Sequence, residues 1–412
     1  MQIRFLVGPA GSGKTHRCLE EIRRRLLNPA DSADLILLAP RQSTFQLERQ
    51  ILEAAGIPGY TRLQILSFER LAHATFQWRG LSRPALLEEE GRVMVLRSLL
   101  ARHRQQLQLF RASARLTGFA QQLSLVLREL QRAQMPPALL RSLAAKVEPE
   151  GGLRHKLEDL AVLAELYDQW LARHQLQDAD SLLDTAAKAL REPAVTATKE
   201  PTPPAGGRCL WVDGFAEFSL QEVNFLAAVA PHCDEVTLTF CLEDQPKQKV
   251  SWLSSWSLAL ENHRRCQQML SAVPGARLTR LCLPRREGQN RFKASPVLRH
   301  LEEFWDAPEP WVESRADGLA RPLAMAEEGE PARKRSLRVV ACGDLEGEVV
   351  EAAREILRFV RAGGRYRETA VLMRDLECYQ GLIRRVFAHY EIPCFLDRRE
   401  AVAHHQIGRA HV

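Results

Sequence analysis

The stretch VGPAGSGKTHRCLEEI, residues 7–22, decides the fold. Within it, Gly8-Pro9-Ala10-Gly11-Ser12-Gly13-Lys14-Thr15 matches G-x-x-x-x-G-K-[ST] at every position. The glycines Gly8, Gly11 and Gly13 let the backbone wrap, with Ser12 among them, so that successive N–H groups point inward at phosphate oxygens. The helix that follows adds its positive N-terminal end. In such a loop Lys14 reaches the β- and γ-phosphates and Thr15 ligates Mg²⁺. The flanks supply the context the motif requires: QIRFLV (2–7) reads as a strand, and a helix is expected from Lys14 to about Leu27. ATP with Mg²⁺ is therefore the expected ligand.

Working outward, NPADSAD is turn-rich, and LILLA (35–39) is a continuous apolar run closed by Pro40, as expected for a strand buried on both faces of a parallel sheet. STFQLERQILEAAG reads as a helix capped by Ser43 or Thr44 and stopped at Gly56. LQILSF (63–68) reads as a third strand, so the chain opens as a doubly wound α/β fold. From Pro84 to about Leu190 amphipathic helices dominate; one stripe joins Leu116, Phe119, Leu123, Val126, Leu127 and Leu130. This is a helical insertion. Residues 191–207, rich in Pro, Thr and Gly, read as a linker. CLWVDGF then resumes a buried strand, SLQEVNFLAAVAP is a helix with a Ser219–Glu222 capping box, and EVTLTFCLE is another strand. A second linker is expected over 306–335. Beyond it LRVVACGD and TAVLMRD, joined by EVVEAAREILRFVRAGG, read as a βαβ unit that opens a second α/β domain.

Hydrolysis would need an acidic residue at the end of a neighbouring strand to hold Mg²⁺, and a second group to polarise water. Asp213, after a buried apolar run, is the candidate; a plain turn residue is the alternative. Helicase-type ATPases usually place Glu directly after that Asp, but here Gly214 follows and the nearest carboxylate is Glu217. Only seven residues precede Gly8, too few for an adenine-reading Gln motif, and TFCLEDQP does not reproduce a G-D-x-x-Q sensor.

Bulk composition sets limits. The 412 residues are 45% hydrophobic and 26% charged, which is globular. The net charge of +6 permits nucleic-acid binding without establishing it. None of the nine cysteines forms C-x-x-C, so no local zinc or redox signature exists. No signal pattern and no apolar run of about 18 residues is present, which points to a cytoplasmic protein with reduced thiols and no membrane partner.

Together, GPAGSGKT, LAPRQSTFQLERQIL, LQILSFERLA, EEEGRVMVLRSLL, LTGFAQQLSLVLREL, WVDGFAEFSLQE and TAVLMRD…YQGLIRRVFAHYEIPCFLD resemble, in order and rough spacing, the AddB family, called RexB in some bacteria. Members are the B subunit of an ATP-dependent helicase–nuclease that resects double-strand DNA ends for recombinational repair in response to a Chi sequence. The resemblance implies a superfamily 1 helicase-like RecA-type core with an inserted helical subdomain, then the start of a second RecA-like core. Its boundaries fall at 1–83, 84–190, 191–207, 208–305, 306–335 and 336–405. It implies an AddA-type helicase subunit as partner, and DNA ends and single-stranded DNA as ligands. By position, Gln42, Ser43 and Thr44 match the first single-strand DNA motif, Ser67 and Phe68 the next, and Arg374 the arginine that reaches the γ-phosphate. The residues themselves leave other roles open: helix caps for Ser43 and Thr44, a core aromatic for Phe68, a solvated arginine for Arg374.

Family members are more than twice this long, and their PD-(D/E)XK nuclease carboxylates and the four cysteines of an iron–sulfur cluster match nothing in this chain. No nuclease activity is therefore expected of it. The final hexapeptide, Ile407 to Val412, can be written ATC-GGA-AGA-GCA-CAC-GTC, a common sequencing-adapter sequence, so 406–412 is expected to be a non-native tail. The expected function is a nucleotide-binding, DNA-gripping subunit. An active DNA-dependent motor and a P-loop small-molecule kinase are the alternatives.

Overall fold

The computed structural model describes residues 1–53, 59–116, 118–148, 152–192, 207–243, 254, 256–284, 292, 295–305, 307–314, 320–322 and 337–396. The helix stop expected at Gly56, nearly all of the 191–207 linker and the 406–412 tail lie outside them. The chain forms two compact units, Met1–Ala326 and Glu327–Val412.

The first unit opens with β1 (Gln2–Gly8), α1 (Lys14–Leu27), β2 (Asp34–Leu38), α2 (Thr44–Glu53), β3 (Leu63–Leu66) and α3 (Phe68–Trp78). The strand expected to run through Phe68 stops at Leu66, because Ser67 caps α3 by accepting a hydrogen bond from the Arg70 N–H at 3.4 Å. The insertion follows with β4 (Leu86–Leu87), α4 (Glu89–His103), α5 (Phe119–Arg132), α6 (Pro137–Ala144), α7 (Gly152–His174), β5 (Gln177–Asp178) and α8 (Leu182–Arg191). The chain then returns through β6 (Arg208–Val212), α9 (Leu220–Val229), β7 (Glu235–Cys241), α10 (Ser257–Ser271), β8 (Arg277–Cys282) and α11 (Pro296–Glu303). Residues expected to be an irregular linker hold a short antiparallel pair, β9 (Val312–Ser314) with β10 (Ala320–Pro322).

Six strands make one parallel sheet in the order β3-β2-β6-β7-β1-β8. Its central strands are apolar on both faces because helices cover both. On one face Leu6, Leu35, Leu37, Cys209 and Trp211 pack against Cys18, Leu19 and Ile22 of α1 and Leu47 and Ile51 of α2. On the other, Ile3, Phe5, Ile36, Leu210 and Leu238 meet side chains of α3, α8, α9 and α10. Among the described residues the edge strand β8 pairs only with β1, and its residues are largely solvated, so its sequence carries little apolar signal.

Helices α4 to α7 build a separate core around Leu96, Leu123, Leu163 and Tyr167. Two details differ from expectation. Leu116 precedes α5 and is 66% exposed rather than part of its stripe. Helix α8 does not belong to this core: Leu182, Ala186 and Leu190, at helical spacing, pack in the α/β core. A buried polar network links the two. Arg92 in α4, almost wholly buried, donates from Nε to Ser124 Oγ at 2.8 Å and from Nη1 to Asp178 Oδ1 at 3.1 Å, and also meets Asp180. Tyr167 donates to Asp178 Oδ2 at 2.6 Å. Gln221 of α9 then donates to the Asp180 carbonyl at 2.7 Å and to Asp184 Oδ2 at 2.8 Å.

The second unit contains α12 (Leu345–Arg361) and α13 (Leu376–His389), which share a core of Val349, Ala353, Ile356, Ile383, Val386 and Phe387. The two strands expected to flank α12 are not formed among the described residues. Neither segment has a ladder partner there, and a strand without one leaves its backbone groups to solvent. Val339 and Leu372 are accordingly 92% and 93% exposed.

Candidate nucleotide site

The loop from Gly8 to Gly13 leaves the C-terminal end of β1 and runs straight into α1. Its geometry follows from its glycines. Gly13 has φ +92°, a left-handed conformation that L side chains rarely adopt. At Gly8 a Cβ would stand 2.5 Å from Ser12 Oγ and 2.8 Å from the Leu283 carbonyl oxygen. Helix α1 has no side-chain cap and no acidic residue in its first turn, so its positive end faces the loop uncancelled. Lys14 Nζ folds back and donates to the Gly8 and Pro9 carbonyls, both at 2.7 Å. Ser12 Oγ is buried without a hydrogen-bond partner, an arrangement a phosphate oxygen would complete. A cleft of about 470 Å³ opens beside the loop, bounded by Gly11, His16, Arg17, Leu283 and Pro284.

Asp213 stands at the C-terminal end of β6 and is 4% exposed. In the sheet β7 lies between β6 and β1. The carboxylate nevertheless meets the loop. Thr15 Oγ1 donates to Asp213 Oδ2 at 2.7 Å, across a sequence separation of 198 residues. From β7, Thr239 Oγ1 donates to Asp213 Oδ1 at 2.6 Å. The expected pair Thr15 and Asp213 is thus brought together, with all of Gly8, Gly11, Ser12, Gly13 and Lys14 around it.

Sequence reading missed two supporting residues. Thr239 is one; its signal was a polar residue inside a strand buried on both faces. Asn262 of α10, 4% exposed, is the other. Its Oδ1 accepts from the Phe218 N–H at 3.2 Å, anchoring the loop that follows Asp213. Beneath the sheet, Glu21 gathers Arg4, Arg17 and Trp211. Burial pushes its carboxyl up, but the bonds from Arg4 and Trp211 outweigh this and hold it below the usual carboxylate range. Burial, reinforced by the negative charge of Asp213, pushes the Cys18 thiol far up and keeps it neutral.

The remaining candidates are placed less directly. Gly214 has φ +85°, and Glu217 is exposed on the loop beyond. Gln42 is exposed in a short 3₁₀ turn before α2. Ser43 and Thr44 do not cap α2; their hydroxyls donate backwards to the Pro40 and Arg41 carbonyls at 2.8 and 2.9 Å. Phe68 is 6% exposed, with its ring 5.1 Å from Phe215 and 6.1 Å from Phe218. That is the core placement the residues left open, not a ring presented to a base. Arg374 is exposed in the second unit, just before α13.

The fold and the site define an α/β protein with a glycine-rich loop at the C-terminal edge of a parallel sheet and a helical insertion. The family model described as ADDB, N-terminal, matches residues 5–302, and the chain belongs to that family. It is 35% identical over 414 residues to the ATP-dependent helicase/deoxyribonuclease B subunit of Moorella thermoacetica, covering 99% of this chain and 33% of the relative. The protein of the same name from Desulforudis audaxviator is 34% identical over 415 residues, with 99% and 33% covered. The chain therefore spans about a third of the length of the curated relatives it matches. Among the described residues, no helix is long and apolar enough to cross a membrane.

Proposed function

We propose that this chain is the nucleotide- and DNA-binding, helicase-like part of the B subunit of an ATP-dependent helicase/deoxyribonuclease acting in recombinational repair of DNA ends in the cytoplasm. Its first unit is a RecA-like core that binds ATP with Mg²⁺, and its partner is an AddA-type helicase subunit. The observation that carries the reading is the meeting of Thr15 and Asp213 at the mouth of the glycine loop. That pairing brings a hydroxyl and a carboxylate to the place where Mg²⁺ chemistry asks for them. When bound, Mg²⁺ supplies charge neutralisation to the triphosphate. The protein's own contribution is to bind: Lys14 and the first-turn N–H groups of α1 hold phosphate oxygens, and Thr15 and Asp213 orient the cation.

We further propose that the chain is not a motor. Gly214 supports this: its left-handed backbone disfavours the Glu that would polarise water there. Single-stranded DNA contact is proposed at the exposed Gln42 and its neighbours Ser43 and Thr44, whereas Ser67 is buried as the cap of α3. Titration with a fluorescent ATP analogue and Mg²⁺ tests the core of the reading. Binding that Lys14→Ala weakens at least roughly tenfold is expected, and no binding by the wild type would overturn it. Steady-state phosphate release with single-stranded DNA tests the rest: sustained turnover that Lys14→Ala abolishes would make the chain a motor.

A further inference from the structure

We propose that Thr239 is a positioning residue for Asp213, fixing how that carboxylate meets Mg²⁺; this rests on the nucleotide reading above. Strand β7 pairs with β1 on one side, Leu6 opposite Thr239, and with β6 on the other, Leu238 opposite Val212. Continuing that register by one residue sets Asp213 beside Thr239. The Thr239 hydroxyl donates to Oδ1 at 2.6 Å while Thr15 donates to Oδ2 at 2.7 Å, so the carboxylate is held at both oxygens from two different elements. The two hydroxyls differ in what they are available for. Thr15 sits at the start of α1, where its oxygen lone pair is available to a cation while its O–H donates to Asp213. Thr239 lies outside the loop, on a strand locked by ladders on both sides, and is 4% exposed. As a β-branched residue it has few rotamers to visit. It therefore keeps Oδ1 occupied when Thr15 is recruited, and Oδ2 stays turned toward the loop. Groups that hold a metal-binding side chain in this way typically change metal affinity by about 10–100-fold when removed.

The same strand provides an internal control. Two residues earlier, on the same face, the Thr237 hydroxyl accepts from Arg4 Nη2 at 2.9 Å, within the Arg4–Glu21 pair and away from the carboxylate. Both threonines are 4% exposed, so a loss of buried polar satisfaction alone would affect both alike.

The test uses the full chain and a fluorescent ATP analogue, titrated with Mg²⁺ and again in EDTA, on wild type, Thr239→Val, Thr239→Ser and Thr237→Val. Thr239→Val is expected to keep metal-free affinity within about twofold of wild type and to lose about tenfold or more of the Mg²⁺ enhancement. Thr239→Ser should restore the enhancement, and Thr237→Val should retain it. Full enhancement in Thr239→Val, equal loss with and without metal, or failure of Thr239→Ser to restore the enhancement would each overturn the proposal. A wild type that binds no nucleotide in either buffer would instead overturn the nucleotide reading beneath it.

Discussion

Pro40 Cδ lies 3.3 Å from the point where a Cβ on Gly214 would stand, so the second residue after β2 presses on the turn that leaves Asp213. Gly214 also has φ +85°. Backbone conformation and a close neighbour thus both favour glycine at the position where motor ATPases carry Glu.

Gly214→Glu is accordingly expected to destabilise the protein by about 1 kcal/mol or more, because a side chain is forced into a left-handed turn. It should not create turnover. Chemical unfolding and phosphate release measure the two effects; DNA-stimulated hydrolysis by Gly214→Glu would show that a missing carboxylate was all that separated this site from a motor.

Arg92→Leu is expected to cost about 3–5 kcal/mol, because it strands the Asp178 carboxylate in a site that is 1% exposed. Arg92→Leu/Asp178→Leu should cost less than the sum of the single changes. Urea unfolding of the four proteins gives the coupling directly, and additive losses would mean the pair does not act as a unit.

Acid should loosen the insertion through Asp180. Burial raises its carboxyl, but the hydrogen bond from Arg92 and the bond from Arg128 outweigh this and hold it below its ordinary value of 3.8. A depressed carboxyl stabilises the fold above the unfolded value and loses that stabilisation as pH falls through the folded one. The contribution is therefore present above pH 3.8 and fades below it. Wild type should lose more stability than Asp180→Asn between about pH 4.5 and about pH 2.5, a window that brackets that step. Parallel decline of the two proteins would assign acid sensitivity elsewhere.

Native-state thiol labelling should divide the cysteines. Cys241, Cys378 and Cys394 are exposed, whereas Cys18, Cys209, Cys233 and Cys266 are buried. Burial pushes the Cys233 and Cys266 thiols up to about 12. The exposed thiols should react first, with Cys378 slowed by its hydrogen bond to Asp375 at 3.3 Å. Mass mapping after a short pulse checks the order; early labelling of Cys233 would mean that the sheet opens.

What could be read from sequence was local. The β1–loop–α1 unit, the Ser219–Glu222 capping box and the strand leading into Asp213 each depend on neighbours within a few residues, and each is found. What could not be read was non-local. Nothing in EVTLTFC says that β7 inserts between β1 and β6, since buried parallel strands look alike. Helix α8 has the same amphipathic spacing whether it packs on helices or on the sheet, so its allegiance was invisible. The segments 337–343 and 369–375 have strand-like composition, yet a strand exists only with a partner beside it. Phe68 fell between the two cases: a hydroxyl before it made a helix cap, and its depth depended on three phenylalanines far along the chain.

The distance in sequence between Thr15 and Asp213 has a consequence for folding. Loop closure over 198 residues must precede their contact, and the strand that intervenes must already be in place. A site assembled this way has no counterpart in the partly folded chain, where the glycine loop alone can offer phosphate only its backbone. Nucleotide capture with its cation would then belong to the finished sheet, and a ligand that binds only the native state adds its binding energy to that state's stability. In this protein ATP would act as a clasp on the completed fold.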